Sequence, residues 1–87
     1  MFQRNPVICA AELDGEICLF HPESAKYINL NATGSAIWTL LDAPQERNWL
    51  VAQLLDRFAV GEAMCSEQTD DFLSEALQQG VLLHATA

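Results

Sequence analysis

The side chains with the greatest capacity for chemistry are three cysteines and two histidines, and their spacing brings none of them together. Cys9, Cys18 and Cys65 form no CxxC pair, and neither His21 nor His84 stands at a metal-ligand interval from any of them. We therefore expect no metal or redox centre. The cysteines are expected to be buried packing residues without a disulfide, since Cys9 would lie diagonally from Cys18 across a hairpin, about 7–8 Å away.

Arrangements for catalysis are also missing. His21 and Cys18 fall on opposite faces of one predicted strand, so they would not meet as a base and a nucleophile. Asp70 and Asp71 point about 100° apart on a helix, which is a poor geometry for sharing a proton or a metal ion. Gly34 stands alone, without a phosphate-binding glycine pattern. We expect a protein that is not an enzyme and that uses no cofactor.

The length and net charge of the chain exclude further classes of function. The 87 residues suffice for one domain, 1–87, and 12 acidic residues against 4 basic ones give a net charge of −8. Such a chain repels phosphate backbones and anionic lipid, so we expect neither nucleic acid nor membrane as a partner. No apolar run approaches the roughly 20 residues of a spanning helix, so the cytoplasm is the simplest location.

The first third of the chain has the pattern of strands, from about residue 6 to residue 30. Asp14-Gly15 separates two apolar segments and favours a tight hairpin turn, because both residues tolerate positive φ. His21-Pro22-Glu23-Ser24 is a second break, after which alternation resumes over Ala25 to Leu30. Three antiparallel strands joined by short turns are predicted.

The rest of the chain, about 32–80, has helical periodicity. Asn31 is a favoured N-cap for a first helix over about 32–42, and a second runs from about Glu46 to Phe58. A third is predicted to open at Ser66 and to close at Gly80 in a C-cap. Residues 81–84 form a short extended tail or a wing strand, and the pattern does not decide between them. The fold class is α+β, with a three-stranded antiparallel sheet followed by a three-helix bundle.

An exposed sheet edge is the most informative surface feature. In a simple meander the strand Ala25 to Leu30 is an edge with no internal proline, and its free N–H and C=O groups can accept another chain. Leu77 on the third helix is the candidate for the apolar centre of a neighbouring surface. The alternative is that Leu77 completes the core and that the N-terminus covers the edge.

Several motifs along four fifths of the chain resemble the PqqD-like family, which comprises small peptide-modification chaperones also called RiPP recognition elements. They are Asp14-Gly15-Glu16, His21-Pro22-Glu23-Ser24, the run from Tyr27 to Leu41 and Phe72-Leu73 followed by Gly80-Val81-Leu82-Leu83. The resemblance implies a winged-helix-like fold that binds the leader segment of a ribosomally made precursor peptide. It also implies presentation to a partner enzyme, such as a radical SAM protein, a leader peptidase or a lasso-type maturase.

The resemblance further implies where the leader lies, namely as an added strand beside the third strand and against the third helix. Carried onto this chain, it predicts main-chain partners and side-chain walls at Lys26, Tyr27, Ile28, Asn29, Leu30, Asp70, Leu73, Ser74 and Leu77. The chain departs from the family pattern at Ala25, where glycine is common, and at Thr69 and Ala76, where larger aliphatic residues are usual.

Electrostatics on the third helix adds a hypothesis about the ligand. This helix carries four acidic residues, namely Glu67, Asp70, Asp71 and Glu75. We hypothesise that the leader has Lys or Arg opposite them.

Two other functions compete with leader binding. A winged-helix DNA-binding protein is disfavoured because no Lys or Arg occurs from Phe58 to Ala87. A generic protein-interaction or oligomerisation module is the other alternative, with Trp49 as a possible anchor.

Overall fold

The architecture is α+β, with a small antiparallel sheet covered on one face by three helices. A computed structural model describes residues 1–85 of the chain. The strands are β1 (Phe2–Arg4), β2 (Cys9–Leu13), β3 (Glu16–His21), β4 (Lys26–Asn29) and β5 (Leu82–His84), and the helices are α1 (Ala32–Leu40), α2 (Arg47–Arg57) and α3 (Glu62–Gln78). Strands β2, β3 and β4 form a meander in that order, which confirms the predicted sheet and helix order. The predicted domain also included residues 86 and 87, which lie outside the described residues.

The hairpin between β2 and β3 has the predicted turn. Asp14 and Gly15 both have positive φ, 53° and 82°, as the two-residue turn requires. The resulting register places Ala11 opposite Cys18, so Cys9 lies diagonally from Cys18. All three cysteines are free thiols, but only Cys65 is buried. The expectation of burial is wrong for Cys9, because β2 is exposed along its whole length.

Local signals fix the start of α1 and the end of α3. The side chain of Asn31 accepts a hydrogen bond from the backbone N–H of Gly34 at 2.8 Å, as predicted for an N-cap. At the end of α3, Gly80 has φ +73°, and the N–H of Val81 donates to the carbonyl of Ala76 at 2.9 Å. That bond closes the last turn and confirms the predicted glycine cap.

The predicted start of α3 at Ser66 is wrong. The helix begins four residues earlier, at Glu62, and Gly61 occupies the N-cap position. The earlier turn buries Cys65, whose thiol contacts the carbonyl of Val51 on α2 at 3.8 Å. Packing of α3 against α2 therefore stabilises a first turn that has no side-chain cap.

A second sheet joins the two ends of the chain, and the sequence analysis did not anticipate its N-terminal strand. β1 pairs antiparallel with β5, so the extended tail is a strand, and the backbone N–H of Asn5 donates to the carbonyl of Val81 at 3.0 Å. The Arg4 guanidinium binds the carbonyl of Trp38 and lies 4.8 Å above its ring. These contacts fix the N-terminal segment beside α1 and the end of α3.

The core lies between the inner face of the meander and the helices. Its fully buried side chains include Leu19 from β3, Ile37 from α1, Leu50 from α2 and Leu82 from β5. Apolar burial on this scale supplies most of the stability of a small domain. No helix within residues 1–85 has the combination of length and apolar character that crossing a bilayer requires.

Candidate functional site

The outer edge of β4 is open. Within residues 1–85, β4 pairs with β3 on one side and with no strand on the other. The N-terminal segment, which was the candidate for covering this edge, pairs with β5 instead. The predicted edge strand is therefore available to another chain.

The ladder between β3 and β4 determines which backbone groups face outwards. The N–H of Leu30 donates to the carbonyl of Ile17 at 2.8 Å, so this pair is hydrogen-bonded. Bonded and non-bonded pairs alternate in an antiparallel ladder, so Ile28 also bonds to β3. The N–H and C=O groups of Tyr27 and Asn29 therefore point to the open edge.

Ser35 of α1 holds the end of this ladder. Its buried hydroxyl accepts a hydrogen bond from the N–H of Ile17 at 3.1 Å and donates to the carbonyl of Leu30 at 3.3 Å. Two backbone groups that would otherwise lack partners are satisfied in this way. The hydroxyl thereby fixes the position of β4 relative to the helices.

A cleft runs between β4 and α3, and we call it the β4–α3 cleft. Its volume is about 200 Å³, and its lining residues are Ile28, Asn29, Leu30, Asn31, Phe72, Glu75, Ala76, Gln79 and Val81. The side chain of Ile28 lies on the inner face of the sheet, since it is paired with the buried Leu19. The open edge and an adjacent apolar surface therefore form one site.

Gly34 explains how Phe72 reaches the cleft. A Cβ atom at Gly34 would lie 3.0 Å from Cε1 of Phe72, closer than ordinary packing allows. The absence of a side chain lets the ring pack on the first turn of α1. Phe72 and Glu75 also line a shallower hollow of about 250 Å³, which continues along α3 past Asp71.

The acidic groups of the site are fewer than the sequence suggested. Glu75 lines the cleft and the hollow, and Asp71 lines the hollow. Asp70 instead forms an ion pair with Arg47 of α2, with Nε to Oδ1 at 2.8 Å and Nη2 to Oδ2 at 2.9 Å. The hydrogen bond from Arg47 lowers the pKa of Asp70 and raises the pKa of Arg47.

The structure does not bring the predicted α3 residues to the cleft. Asp70 faces α2, Leu73 is a core residue that is 3% exposed, and Leu77 is partly buried against the core. These residues and Ser74 are absent from the cleft lining. At about 100° per residue, the centre of the predicted set is turned about 160° around α3 from the centre of the cleft lining, and Leu73 is its nearest member to the cleft.

The face of α3 that does line the cleft was not among the predicted binding residues. Phe72, Glu75, Ala76 and Gln79 follow the spacing i, i+3, i+4 and i+7, which was a detectable signal. Of the two small residues noted on this helix, Ala76 lines the cleft, whereas Thr69 is fully buried.

Two other candidates for chemistry or anchoring, His21 and Trp49, are not among the residues that line the cleft. His21 is buried, and its Nδ1 accepts a hydrogen bond from the N–H of Glu23 at 3.3 Å. Trp49 on α2 is 39% exposed. No three potential metal ligands among His, Cys, Asp and Glu cluster in the part of the chain that the structure describes. The open edge of β4 and the adjacent cleft are suited to recognition of an extended chain.

Comparisons with known proteins find one family model and two solved structures that match this chain. The family model described as Coenzyme PQQ synthesis protein D (PqqD) matches residues 16–82. A solved structure described as TbiB1 in complex with the TbiA(beta) leader peptide is 24% identical, with a TM-score of 0.86, and the match covers 98% of this chain and 99% of that one. A lasso peptide synthetase B1 complexed with the leader peptide is 20% identical, with a TM-score of 0.82 and coverage of 95% and 98%. No match is found among curated proteins.

Proposed function

The chain belongs to the PqqD family, and from that premise we propose that it binds the leader segment of a ribosomally synthesised precursor peptide by β-strand addition. It then presents the peptide to a partner modifying enzyme, such as a radical SAM protein, a leader peptidase or a lasso-type maturase. The two solved structures that share its fold each hold a leader peptide, which supports this assignment. Such a role needs no catalytic residue, metal or cofactor, and its cytoplasmic location remains a prediction.

The observation that carries the proposal is the open edge of β4 beside the β4–α3 cleft. An added strand would bond to the outward N–H and C=O groups of Tyr27 and Asn29. Alternate side chains of that strand would point into the cleft, because side chains alternate between the two faces of a sheet. Main-chain bonds would then contribute affinity, and the cleft would select the side chains.

The proposed binding residues combine the predicted strand with the observed helix face. Lys26, Tyr27, Ile28, Asn29 and Leu30 are retained. On α3 the proposal replaces the four predicted residues with Phe72, Glu75, Ala76 and Gln79, because these line the cleft.

Where a short open reading frame flanks the gene of this chain, the direct test is titration of a labelled synthetic peptide with its N-terminal leader sequence. We expect saturable one-to-one binding in fluorescence polarisation. Proline at Asn29 should weaken binding by about tenfold or more, because it removes a donor that faces the leader and leaves the bonds to β3 intact. A folded Asn29→Pro variant with undiminished leader affinity would contradict strand addition here.

A matched substitution separates loss of binding from loss of folding. The N–H of Ile28 bonds to β3, so Ile28→Pro should disrupt the sheet itself and lower the thermal midpoint. Circular dichroism of both variants should therefore show that Asn29→Pro retains the fold more fully. If Trp49→Ala, and not Asn29→Pro, abolished leader binding, the leader would bind at α2 and not at the edge of β4.

A further inference from the structure

The outward face of the meander is apolar, although it faces away from the helices. Eight side chains of β2, β3 and β4 share this face by register and alternation. They are Cys9, Ala11, Leu13, Glu16, Cys18, Phe20, Tyr27 and Asn29. We call them the outer sheet face. Glu16 is its charged member and Asn29 its polar one, so six of the eight are apolar or aromatic.

Nothing in the described chain covers the outer sheet face. Leu13 and Tyr27 are 70% and 73% exposed, the highest values among the exposed large hydrophobic residues. The rings of Phe20 and Tyr27 lie 4.8 Å apart, so they form one aromatic surface. An antiparallel sheet with one face on the core ordinarily carries polar residues on the other. A contiguous apolar face of this kind indicates an interaction surface.

A second copy of the chain is a poor occupant for this face. Each copy carries a net charge of −8, so two copies repel one another.

Charge at one end of the face indicates a different occupant. Glu16 lies on the outer sheet face and is paired directly with Leu13 across the hairpin. Asp14 lies in the adjoining turn. The basic residues lie elsewhere: Arg4 binds the carbonyl of Trp38, Arg47 pairs with Asp70, Arg57 ends α2 and Lys26 is on the inner face. A complementary surface has an apolar centre and basic side chains at the hairpin end.

We propose that the outer sheet face is the docking surface for the modifying enzyme, which contacts it through an apolar patch with basic residues next to Asp14 and Glu16. The inference rests on the proposed function, because it takes such an enzyme as the partner. A leader strand added at β4 would extend the same face, since alternate leader side chains would lie beside Tyr27. The enzyme would thus contact the chain and its bound leader on one continuous surface.

Where a modifying enzyme is encoded beside the gene of this chain, the test titrates that purified enzyme against the full chain in biolayer interferometry with the leader peptide present. Leu13→Asp and Ala11→Glu place a charge on the outer sheet face at exposed positions, so both variants should fold. We expect each to weaken enzyme binding by about tenfold or more. Val60→Ser alters an exposed apolar residue between α2 and α3 and should leave enzyme binding unchanged.

Leader binding is measured separately for every variant and should not change, because neither position belongs to the proposed leader site. The docking proposal is overturned if both variants bind the enzyme as tightly as the wild type, or if the wild type does not bind it. It is also overturned if sedimentation shows a wild-type dimer that Leu13→Asp dissociates while enzyme binding persists. Failure of the wild type to bind the leader would instead contradict the proposed function.

Discussion

Glu75 and Asp70 lie on the same helix with different surroundings. Glu75 lines the β4–α3 cleft, whereas Asp70 is held by the Arg47 guanidinium on α2. A carboxylate that already has a bidentate partner is poorly placed to recognise a ligand. At the scale of single residues, Glu75 is therefore the group expected to face a Lys or Arg of the leader.

Two isosteric substitutions test this difference. Glu75→Gln should weaken leader binding by about twofold to fivefold, the range of a solvent-exposed ion pair, and should reduce its dependence on salt. Asp70→Asn should leave leader affinity unchanged and slightly lower stability, because it breaks the bond to Arg47. Titrations at low and high salt measure both effects. Equal losses from the two variants would show that the leader does not distinguish the two faces of α3.

At the scale of elements, short-range signals were predictable and packing was not. Asp14-Gly15, Asn31 and Gly80 each act within a few residues, and each has the expected role in a turn or cap. The orientation of α3 depends on α2, and Phe72, Leu73 and Ala76 are all apolar, so the helical pattern alone allows two different core faces. Leu73 is the one that enters the core most deeply.

Pairing between the chain ends was unpredictable for a different reason. β1 and β5 have three residues each, too few to show alternation, and they are about eighty residues apart in sequence. Such pairing depends on the tertiary fold rather than on local pattern. This pairing affects the site, because the N-terminal strand β1 bonds to β5 and therefore does not cover the edge of β4.

The turn before β4 carries an identifiable strain. Ala25 has φ +55°, in the left-handed region that glycine occupies without steric cost, which gives a reason for the glycine common there in the family. Ala25→Gly should therefore raise the free energy of unfolding by about 0.5–1 kcal/mol. Urea denaturation measures the change.

Two glycines serve as controls for this prediction, because Gly80 has a positive φ, as Ala25 does, and Gly61 does not. Gly80→Ala should destabilise the domain, since φ is +73° and a Cβ would lie 3.1 Å from Nε2 of His21. Gly61 has φ −69° and open space around it, so Gly61→Ala meets no steric clash and should destabilise much less than Gly80→Ala, by no more than the N-cap preference for glycine. Destabilisation by Ala25→Gly would contradict the assignment of strain to Ala25.

At the scale of the whole molecule, the meander has two edges, and they differ in what lies beside them. The edge of β4 adjoins the cleft lined by Ile28, Leu30 and Phe72. The edge of β2 adjoins a hollow lined by Glu12, by Ile17 and by small residues of α1. The cleft beside β4 has several large apolar side chains in its lining, whereas the hollow beside β2 has one, so the leader is placed at the edge of β4.

Amide hydrogen exchange with and without saturating leader peptide tests that placement most directly. The N–H groups of Tyr27 and Asn29 face the open edge of β4, so their exchange should slow markedly, while that of Ile28, already bonded to β3, should change little. The same alternation leaves Ala10 and Glu12 facing outwards on β2. Protection at Ala10 and Glu12, with Tyr27 and Asn29 unaffected, would contradict the account.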